Sequence, residues 1–123
     1  MNDNGMNLTA IIVSYKSESL TCHYVNEELS RCKEVSYIVV VNNAATEESN
    51  QKIQHGIAGS EIVNNGDEYH GARVIILPNE ENQGFARGNN QGARFAKKHL
   101  NPQYLLFTND DIRIVDNDVI KKL

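Results

Sequence analysis

The sequence predicts an α/β fold with a Rossmann-like, mostly parallel sheet and flanking helices. Four short apolar runs rich in β-branched residues recur along the chain, at residues 8–14, 35–41, 74–77 and 104–108. They are continuously apolar rather than alternating, which is typical of strands buried on both faces, as in parallel sheets. Segments of helical character separate them, and strands that alternate with helices indicate an α/β layer.

The helical segments are defined by an apolar residue at every third or fourth position. Residues 20–32 and 85–100 show this spacing, so each predicts a helix with one buried face. Asn101-Pro102 ends the second of them. Residues 47–55 form a third candidate with a less regular pattern. The polar segment 56–71 predicts a loop or a small hairpin that interrupts the alternation.

The length, net charge and cysteines of the chain restrict its number of domains and the partners it can bind. A chain of 123 residues suits one domain with a modest core. The net charge is −4, with 16 acidic against 12 basic residues, which argues against a nucleic-acid partner because phosphate neutralisation normally needs a basic surplus. Cys22 and Cys32 have neither a CxxC spacing nor a paired His, so we expect reduced core thiols and no zinc site.

The sequence also leads to predictions for the N-terminal tail, the cellular location and the C-terminal segment. Residues 1–7 are polar and lack the pattern of a signal peptide, which predicts a disordered tail. The apolar runs are too short to span a bilayer, so we expect a cytoplasmic location, with the inner face of the membrane left open. A helix starting near Asp116 has room for about two turns before Leu123. We therefore expect residues 8–123 to be the front part of a longer domain, with an apolar cut edge through which copies self-associate.

Polar side chains follow all four predicted strands. Ligands of open α/β sheets bind at the carboxyl ends of the strands, where these residues would meet. Turns also favour Asn, Asp and Ser, so any one cluster is explained by a turn alone. Four such clusters on one edge favour a crevice, although no Walker A motif occurs and no GxGxxG follows the first strand. The clusters are Ser14-Tyr15-Lys16, Asn42-Asn43, the four residues 79–82, and Asn109-Asp110-Asp111.

Asp110 and Asp111, in the last of these clusters, indicate a specific chemistry most clearly. Adjacent carboxylates at a strand end repel each other unless a cation lies beside them. Mg²⁺ and Mn²⁺ prefer such oxygen ligands and commonly bridge carboxylates to substrate phosphates. A solvated turn remains the alternative explanation.

Residues 82–92 have a structural and a functional explanation. Gly84, Gly88 and Gly92 recur at every fourth position, so one helix face lacks side chains and can pack tightly on the sheet. The free amides of a helix start also attract anions, and Asn82 and Asn89 can hydrogen-bond a ligand or lock the loop. Because glycine costs about 1 kcal/mol against alanine inside a helix, three of them need a reason. Close packing explains Gly88 and Gly92 best.

Four segments together resemble the family 2 glycosyltransferases in order and spacing. They are AIIVSY at 10–15, IVVVNN at 38–43, NQGFA with GNNQG at 82–86 and 88–92, and LLFTNDD at 105–111. The resemblance implies a GT-A fold, of which this chain holds the N-terminal, nucleotide-sugar-binding half.

The resemblance also implies a set of site residues. Tyr15 would face the nucleobase, Asn42 the base or ribose, and Asp110 with Asp111 would form the DxD-like pair, with Mn²⁺ or Mg²⁺ held by Asp111 and Asp110. The residues assigned to the nucleotide sugar are Ser14, Tyr15, Asn42, Asn82, Gly84, Asn89 and Asp110. The family usually has Asp at position 42 and often Asn at position 16, where this chain has Asn42 and Lys16.

The implied activity is inverting transfer of a sugar from a UDP- or dTDP-sugar to an acceptor hydroxyl. The acceptor would be a glycan or a lipid-linked glycan in cell-surface polysaccharide synthesis. The family's general base would lie beyond Leu123, so a catalytically inactive nucleotide-sugar-binding module is the alternative. A flavodoxin-like regulator or carrier is a third hypothesis, but it expects acidic residues where this chain has Ser14-Tyr15-Lys16.

Overall fold

The computed structural model describes residues 7–110, which form one five-stranded sheet with helices on both faces. All strand pairs are parallel, in the order β3-β4-β2-β1-β5. This confirms the predicted α/β class and its parallel sheet. The elements are β1 (Leu8–Tyr15), α1 (Glu18–Glu27), a 3₁₀ turn (Leu29–Arg31), β2 (Val35–Asn43), α2 (Glu47–Gly56), β3 (Glu61–Ile62), β4 (Val74–Pro78), α3 (Gly84–His99) and β5 (Tyr104–Thr108).

Most of the predicted elements are present. The four predicted strands correspond to β1, β2, β4 and β5, and the three predicted helices to α1, α2 and α3. The first helix ends at Glu27 rather than at Cys32, because the backbone leaves the α-helical path and continues as a 3₁₀ turn. Cys32 is nevertheless buried in the core, as its apolar spacing predicts.

The segment 56–71 is mostly a loop, which is one of the two predicted alternatives, and it contains no hairpin. Glu61 and Ile62 form β3, which pairs in parallel with Ile75 and Ile76 of β4. A hairpin would need an antiparallel partner within the segment. Instead α2 leads directly into this short edge strand, and the chain then returns to β4.

Strands β1, β2 and β4 are buried on both faces, which explains their continuously apolar sequence. Successive residues of each strand alternate between two cores. The core under α1 and α2 includes Ile12, Ile38 and Ile76, and the core under α3 includes Ile11 and Val39. Every one of these five side chains is fully buried.

Helix α3 lies very close to the sheet because Gly88 and Gly92 face it. A Cβ atom at Gly92 would lie 2.6 Å from Ile11 Cγ2, and one at Gly88 would lie 2.9 Å from Val13 Cγ2. Real Cβ atoms essentially never approach within 3.0 Å of a neighbour. The packing explanation for these two glycines is therefore confirmed.

Among residues 7–110, strand β5 lies at the edge of the sheet and pairs with residues 8–12 of β1. Tyr104 and Phe107 are 60% and 49% exposed, although both follow an apolar pattern. Asn7 ties the entrance of β1 to this region, because its Nδ2 donates to the Leu100 carbonyl at 2.6 Å and its own carbonyl accepts from the Gln103 amide at 2.9 Å.

Two expectations about the ends of the chain fall largely outside the described residues. The predicted tail ended at residue 7, and Asn7 is the one member of it that is described. The predicted helix near Asp116 and the metal-ligand candidate Asp111 both lie in the undescribed segment 111–123. They remain predictions.

Candidate functional site

The carboxyl ends of β1, β2 and β4 meet at one edge of the sheet. The register pairs Ser14 with Asn42, Tyr15 with Asn43, and Asn42 with Pro78. Strand β5 runs parallel to β1 and ends at Thr108, opposite Ile12, so Asp110 emerges at the same edge. The polar strand exits therefore converge as the sequence predicts, at the position where open α/β sheets bind ligands.

Asp110 is held by hydroxyl groups at the start of α1. Its Oδ2 accepts a hydrogen bond from Ser17 Oγ at 2.7 Å and another from Thr21 Oγ1 at 3.0 Å. Ser14 Oγ lies 2.7 Å from Thr21 Oγ1 and 3.3 Å from Ser17 Oγ. We call Ser14, Ser17 and Thr21 the hydroxyl cluster. Both of the hydrogen bonds to Asp110 go to Oδ2, and within the described part of the chain none is observed to Asp110 Oδ1.

Ser14 thus lies at the site but faces inward. Its side chain is fully buried and contacts the hydroxyl cluster. Tyr15, the next residue, is 47% exposed and presents its ring at the strand end. Lys16 has a positive φ of 52°, and its Nζ lies 5.3 Å from the centroid of the Tyr15 ring. An accessible ring at this position suits stacking on a nucleobase.

Asn42 is also turned into the protein. It is 1% exposed, and its Nδ2 donates to Ser49 Oγ at 3.1 Å and to Asn50 Oδ1 at 2.9 Å, both on α2. A carboxylate at position 42 has no proton to donate to Asn50 Oδ1. The amide therefore matches its surroundings in this chain, and these contacts fix the exit of β2 against the first turns of α2.

A second polar group, which the sequence did not single out as a unit, connects β2, β4 and α3. Asn79 Nδ2 donates to Asn43 Oδ1 at 2.9 Å and to Gln91 Oε1 at 2.6 Å, and Gln91 Nε2 donates back to Asn79 Oδ1 at 3.1 Å. Asn43 Nδ2 also donates to the Gly84 carbonyl at 3.3 Å. We call Asn43, Asn79 and Gln91 the amide network. It fixes the start of α3 relative to the strand ends.

The loop before α3 is shaped by Asn82 and Gly84. Asn82 Oδ1 accepts a hydrogen bond from the Gly84 amide at 3.0 Å, so this side chain locks the loop. Gly84 has a φ of +80°, a conformation that side chains other than glycine rarely adopt. Gln83, the N-cap residue that precedes α3, makes no side-chain capping bond, and the first turn holds no acidic residue. The Gly84 amide donates to Asn82, but the next amides of the first turn and the helix dipole favour an anion there.

Asn89 is the buried polar residue of α3 that lacks a complete set of partners. It is 9% exposed, and its Oδ1 is buried without a hydrogen bond in the described structure. Gln91 reaches toward the end of β4, and Asn89 lies about 200° around the helix from it. A buried acceptor without a donor is costly, so this oxygen is a candidate for contact with a ligand.

The described residues supply part of a divalent-metal site but no complete set of protein ligands. Among residues 7–110 no group of three or more His, Cys, Asp or Glu side chains is close enough to hold one. Mg²⁺ and Mn²⁺ sites in phosphate-handling proteins commonly need one or two carboxylates, because substrate phosphates and waters complete the coordination. Asp110, whose Oδ2 is held by Ser17 and Thr21, suits a carboxylate that contributes one oxygen to such a site.

The cysteines offer no chemistry at this edge. Burial raises the pKa of both the Cys22 and the Cys32 thiol, and nearby carboxylates raise it further. A raised pKa keeps a thiol protonated and unreactive. Both cysteines are free, as predicted.

An all-parallel sheet whose polar strand exits meet beside the start of a helix is typical of α/β domains that bind ligands at their carboxyl edge. The chain belongs to glycosyl transferase family 2, because the model of that family matches residues 9–123. This confirms the resemblance seen in the sequence and identifies the fold as the GT-A type. Members of the family are enzymes that transfer sugars and generally depend on a metal.

A curated relative has a similar sequence. The low-salt glycan biosynthesis hexosyltransferase Agl10 of Haloferax volcanii is 30% identical over 112 residues, which cover 91% of this chain. The match covers 30% of the relative, so the chain spans under a third of that protein's length. No helix among residues 7–110 is long and apolar enough to cross a membrane.

Proposed function

We propose that this chain forms the nucleotide-sugar-binding part of an inverting glycosyltransferase, which transfers a sugar from a nucleoside-diphosphate sugar to an acceptor hydroxyl. The observation that carries the proposal is the position of Asp110. It lies at the carboxyl edge of a family 2 sheet, with its Oδ2 held by Ser17 and Thr21.

The donor would lie along this edge, with the base at one end and the diphosphate at the other. Tyr15 presents an exposed ring on which the base can stack. Asp110 and Asp111 would hold Mn²⁺ or Mg²⁺. The metal would neutralise the charge that develops on the leaving nucleoside diphosphate.

The start of α3 forms the other wall of the proposed pocket. Its free amides suit the diphosphate, and Asn82 and Gly84 fix the direction of the loop that presents them. Asn89 Oδ1 would accept a hydrogen bond from a hydroxyl or N–H group of the donor. Ser14 and Asn42 would act indirectly, by holding the exits of β1 and β2 in place.

The substrates are proposed at the level of chemical class. We propose a UDP- or dTDP-linked sugar as donor, and the hexosyltransferase name of the relative supports a hexose. The acceptor would be a glycan or lipid-linked glycan in cell-surface polysaccharide synthesis, which the relative's glycan-biosynthesis name supports. The reaction would take place in the cytoplasm, at the inner face of the membrane.

The test is donor binding by isothermal titration with a panel of UDP- and dTDP-sugars in the presence of Mn²⁺. We expect binding that Asp111→Ala abolishes and Asp110→Asn weakens by at least tenfold. Asp67→Asn is the matched control, because Asp67 is an exposed carboxylate in the loop between β3 and β4. The proposal is wrong if no nucleotide sugar of the panel binds, or if Asp111→Ala binds the donor as the unchanged chain does.

A catalytically inactive binding module is the second candidate, because the match covers only 30% of the relative. It predicts the same nucleotide-sugar binding without transfer. A single-turnover assay with radiolabelled donor separates the two, because any transferred or hydrolysed sugar excludes the inactive module.

A further inference from the structure

We propose that Ser17 and Thr21, supported by Ser14, are positioning residues that orient the Asp110 carboxylate for metal-diphosphate binding. This inference rests on the proposed function, because it concerns the same site. It adds a role for two α1 residues that belong to none of the four family-like segments of the sequence.

The directions of the hydrogen bonds follow from the chemistry of the groups. An ionised carboxylate has no proton, so Ser17 and Thr21 must both donate to Asp110 Oδ2. Thr21 has then used its one proton, and it must accept at Oγ1 from Ser14. Ser14 thus donates to Thr21 Oγ1 at 2.7 Å rather than to Ser17 Oγ, which lies farther away at 3.3 Å. Asp110 Oδ2 therefore receives two donors.

The missing N-cap hydrogen bond of Ser17 is a second observation in favour of the positioning role. It occupies the N-cap position of α1, where a serine oxygen normally accepts a bond from an amide of the first helical turn. Here its side chain makes no capping bond. It donates to Asp110 instead. In place of a capping bond within α1, this serine contacts a carboxylate 93 residues away in the chain.

The attachment between α1 and β5 is rigid. Thr21 is fully buried and β-branched, so its side chain has little rotamer freedom. One helical turn later, Tyr24 Oη lies 2.6 Å from Thr108 Oγ1, which ties the same helix to the end of β5. Asp110 is therefore held two residues after a strand that is itself anchored to α1. Its carboxylate cannot turn without breaking charge-assisted hydrogen bonds, which are the stronger kind.

The Tyr24 to Thr108 contact supplies a matched control. Tyr24→Phe removes a buried bond between α1 and β5 but leaves both donors to Asp110 intact. Thr21→Val and Ser17→Ala each remove one donor with little change in shape. Thr21→Ser keeps the hydroxyl and serves as the conservative variant.

The experiment measures the affinity of the full chain for Mn²⁺ in the presence of UDP or dTDP, by electron paramagnetic resonance of free Mn²⁺. Urea unfolding of each variant is followed in parallel. Loss of a group that orients a metal ligand commonly weakens metal affinity about 10- to 100-fold. We expect Thr21→Val and Ser17→Ala to weaken Mn²⁺ affinity about tenfold, with Thr21→Ser and Tyr24→Phe within twofold of the unchanged chain.

The outcomes separate this inference from the proposed function. If Asp110→Asn loses affinity while Thr21→Val and Ser17→Ala bind Mn²⁺ normally, the positioning role is refuted and the proposed site stands. Should Tyr24→Phe lose as much affinity as Thr21→Val, the effect belongs to the general attachment of α1, and the inference fails. If Asp110→Asn and Asp111→Ala both bind normally, the proposed function and the inference fail together. Ser17→Ala and Thr21→Ser decide the matter if Thr21→Val does not fold.

Discussion

Gly92→Ala tests the claim that α3 needs bare backbone where it crosses the sheet. The new methyl group would lie 2.6 Å from Ile11 Cγ2 and 3.4 Å from Val41 Cγ2. Ile11 is fully buried in the central part of the sheet and is β-branched, so its Cγ2 cannot rotate out of the way. Relief would therefore require α3 or β1 to shift.

The expected magnitude is the difference between two opposing effects. Overpacking a tight core costs about 1–3 kcal/mol, and the rigidity of Ile11 places this site at the upper end. Alanine is favoured over glycine inside a helix by about 1 kcal/mol. We expect a net loss of about 2 kcal/mol in the free energy of unfolding. For a domain of this size that corresponds to a fall of roughly 8 °C in Tm.

The assay is urea unfolding followed by circular dichroism at 222 nm, because the chain has no Trp. Asn90→Ala is the matched control, since Asn90 is exposed on the same helix and should gain a few tenths of a kcal/mol from helix propensity alone. Ile11→Ala removes the opposing methyl group, so Gly92→Ala should cost much less in that background. Additive losses, within about 0.5 kcal/mol, would refute the steric explanation.

Three further changes test other parts of the fold. Gly84→Ala should cost about 1–2 kcal/mol in unfolding experiments through its φ of +80° alone, because no atom lies within 4 Å of the added Cβ; unchanged stability would contradict that backbone conformation. Thr46→Ala should cost about 1 kcal/mol, and Thr46→Ser much less, because Thr46 and Ser49 form a reciprocal capping box at the start of α2. Burial raises the pKa of Glu61, but hydrogen bonds from the His70 ring and from the His70 and Ala72 amides outweigh it and lower the pKa below 4.5. The resulting stability is present above pH 4.5 and is lost as pH falls through the lowered pKa, so the difference between the unchanged chain and Glu61→Gln should shrink between pH 5 and pH 3 in urea titrations; a constant difference would refute it.

The sequence predicted the elements whose signal is long. Strands β1, β2 and β4 are buried on both faces and therefore continuously apolar, so they were visible in the sequence. Strand β5 was visible through its apolar residues, although it is partly exposed. Strand β3 has only two residues, in which no periodicity can be recognised. Its position depends on pairing with Ile75 and Ile76, which is information outside the segment itself.

The site was predictable in its location but not in its contacts. The strand exits identify Ser14, Asn42 and Asp110, since polar residues that follow apolar strands are visible in sequence. Whether such a side chain faces a ligand or the protein depends on partners far away in the chain. Thr21 and Asp110 are 89 positions apart, so no local pattern connects them.

The contacts of the amide network were likewise not predictable from the sequence, although its residues lie closer together in the chain. Asn79 and Gln91 are 12 residues apart, and each belongs to a segment that the sequence marks as polar. Their pairing requires the close approach of α3 to the sheet, which in turn depends on Gly88 and Gly92. Whether Asn79 and Gln91 pair therefore depends on the distance between α3 and the sheet, although each residue alone was recognisable as polar in the sequence.

The place of β1 in the sheet has a consequence for synthesis of the chain. Leu8–Tyr15 lies between β2 and β5, and β5 is translated nearly a hundred residues later. At about 5–20 residues per second, β1 waits roughly 5–20 s after leaving the ribosome before Tyr104–Thr108 can pair with it. During that interval one side of an apolar strand has unpaired backbone groups, which invite wrong partners. The nascent chain is therefore most exposed to aggregation, and most in need of a chaperone, until β5 closes this edge.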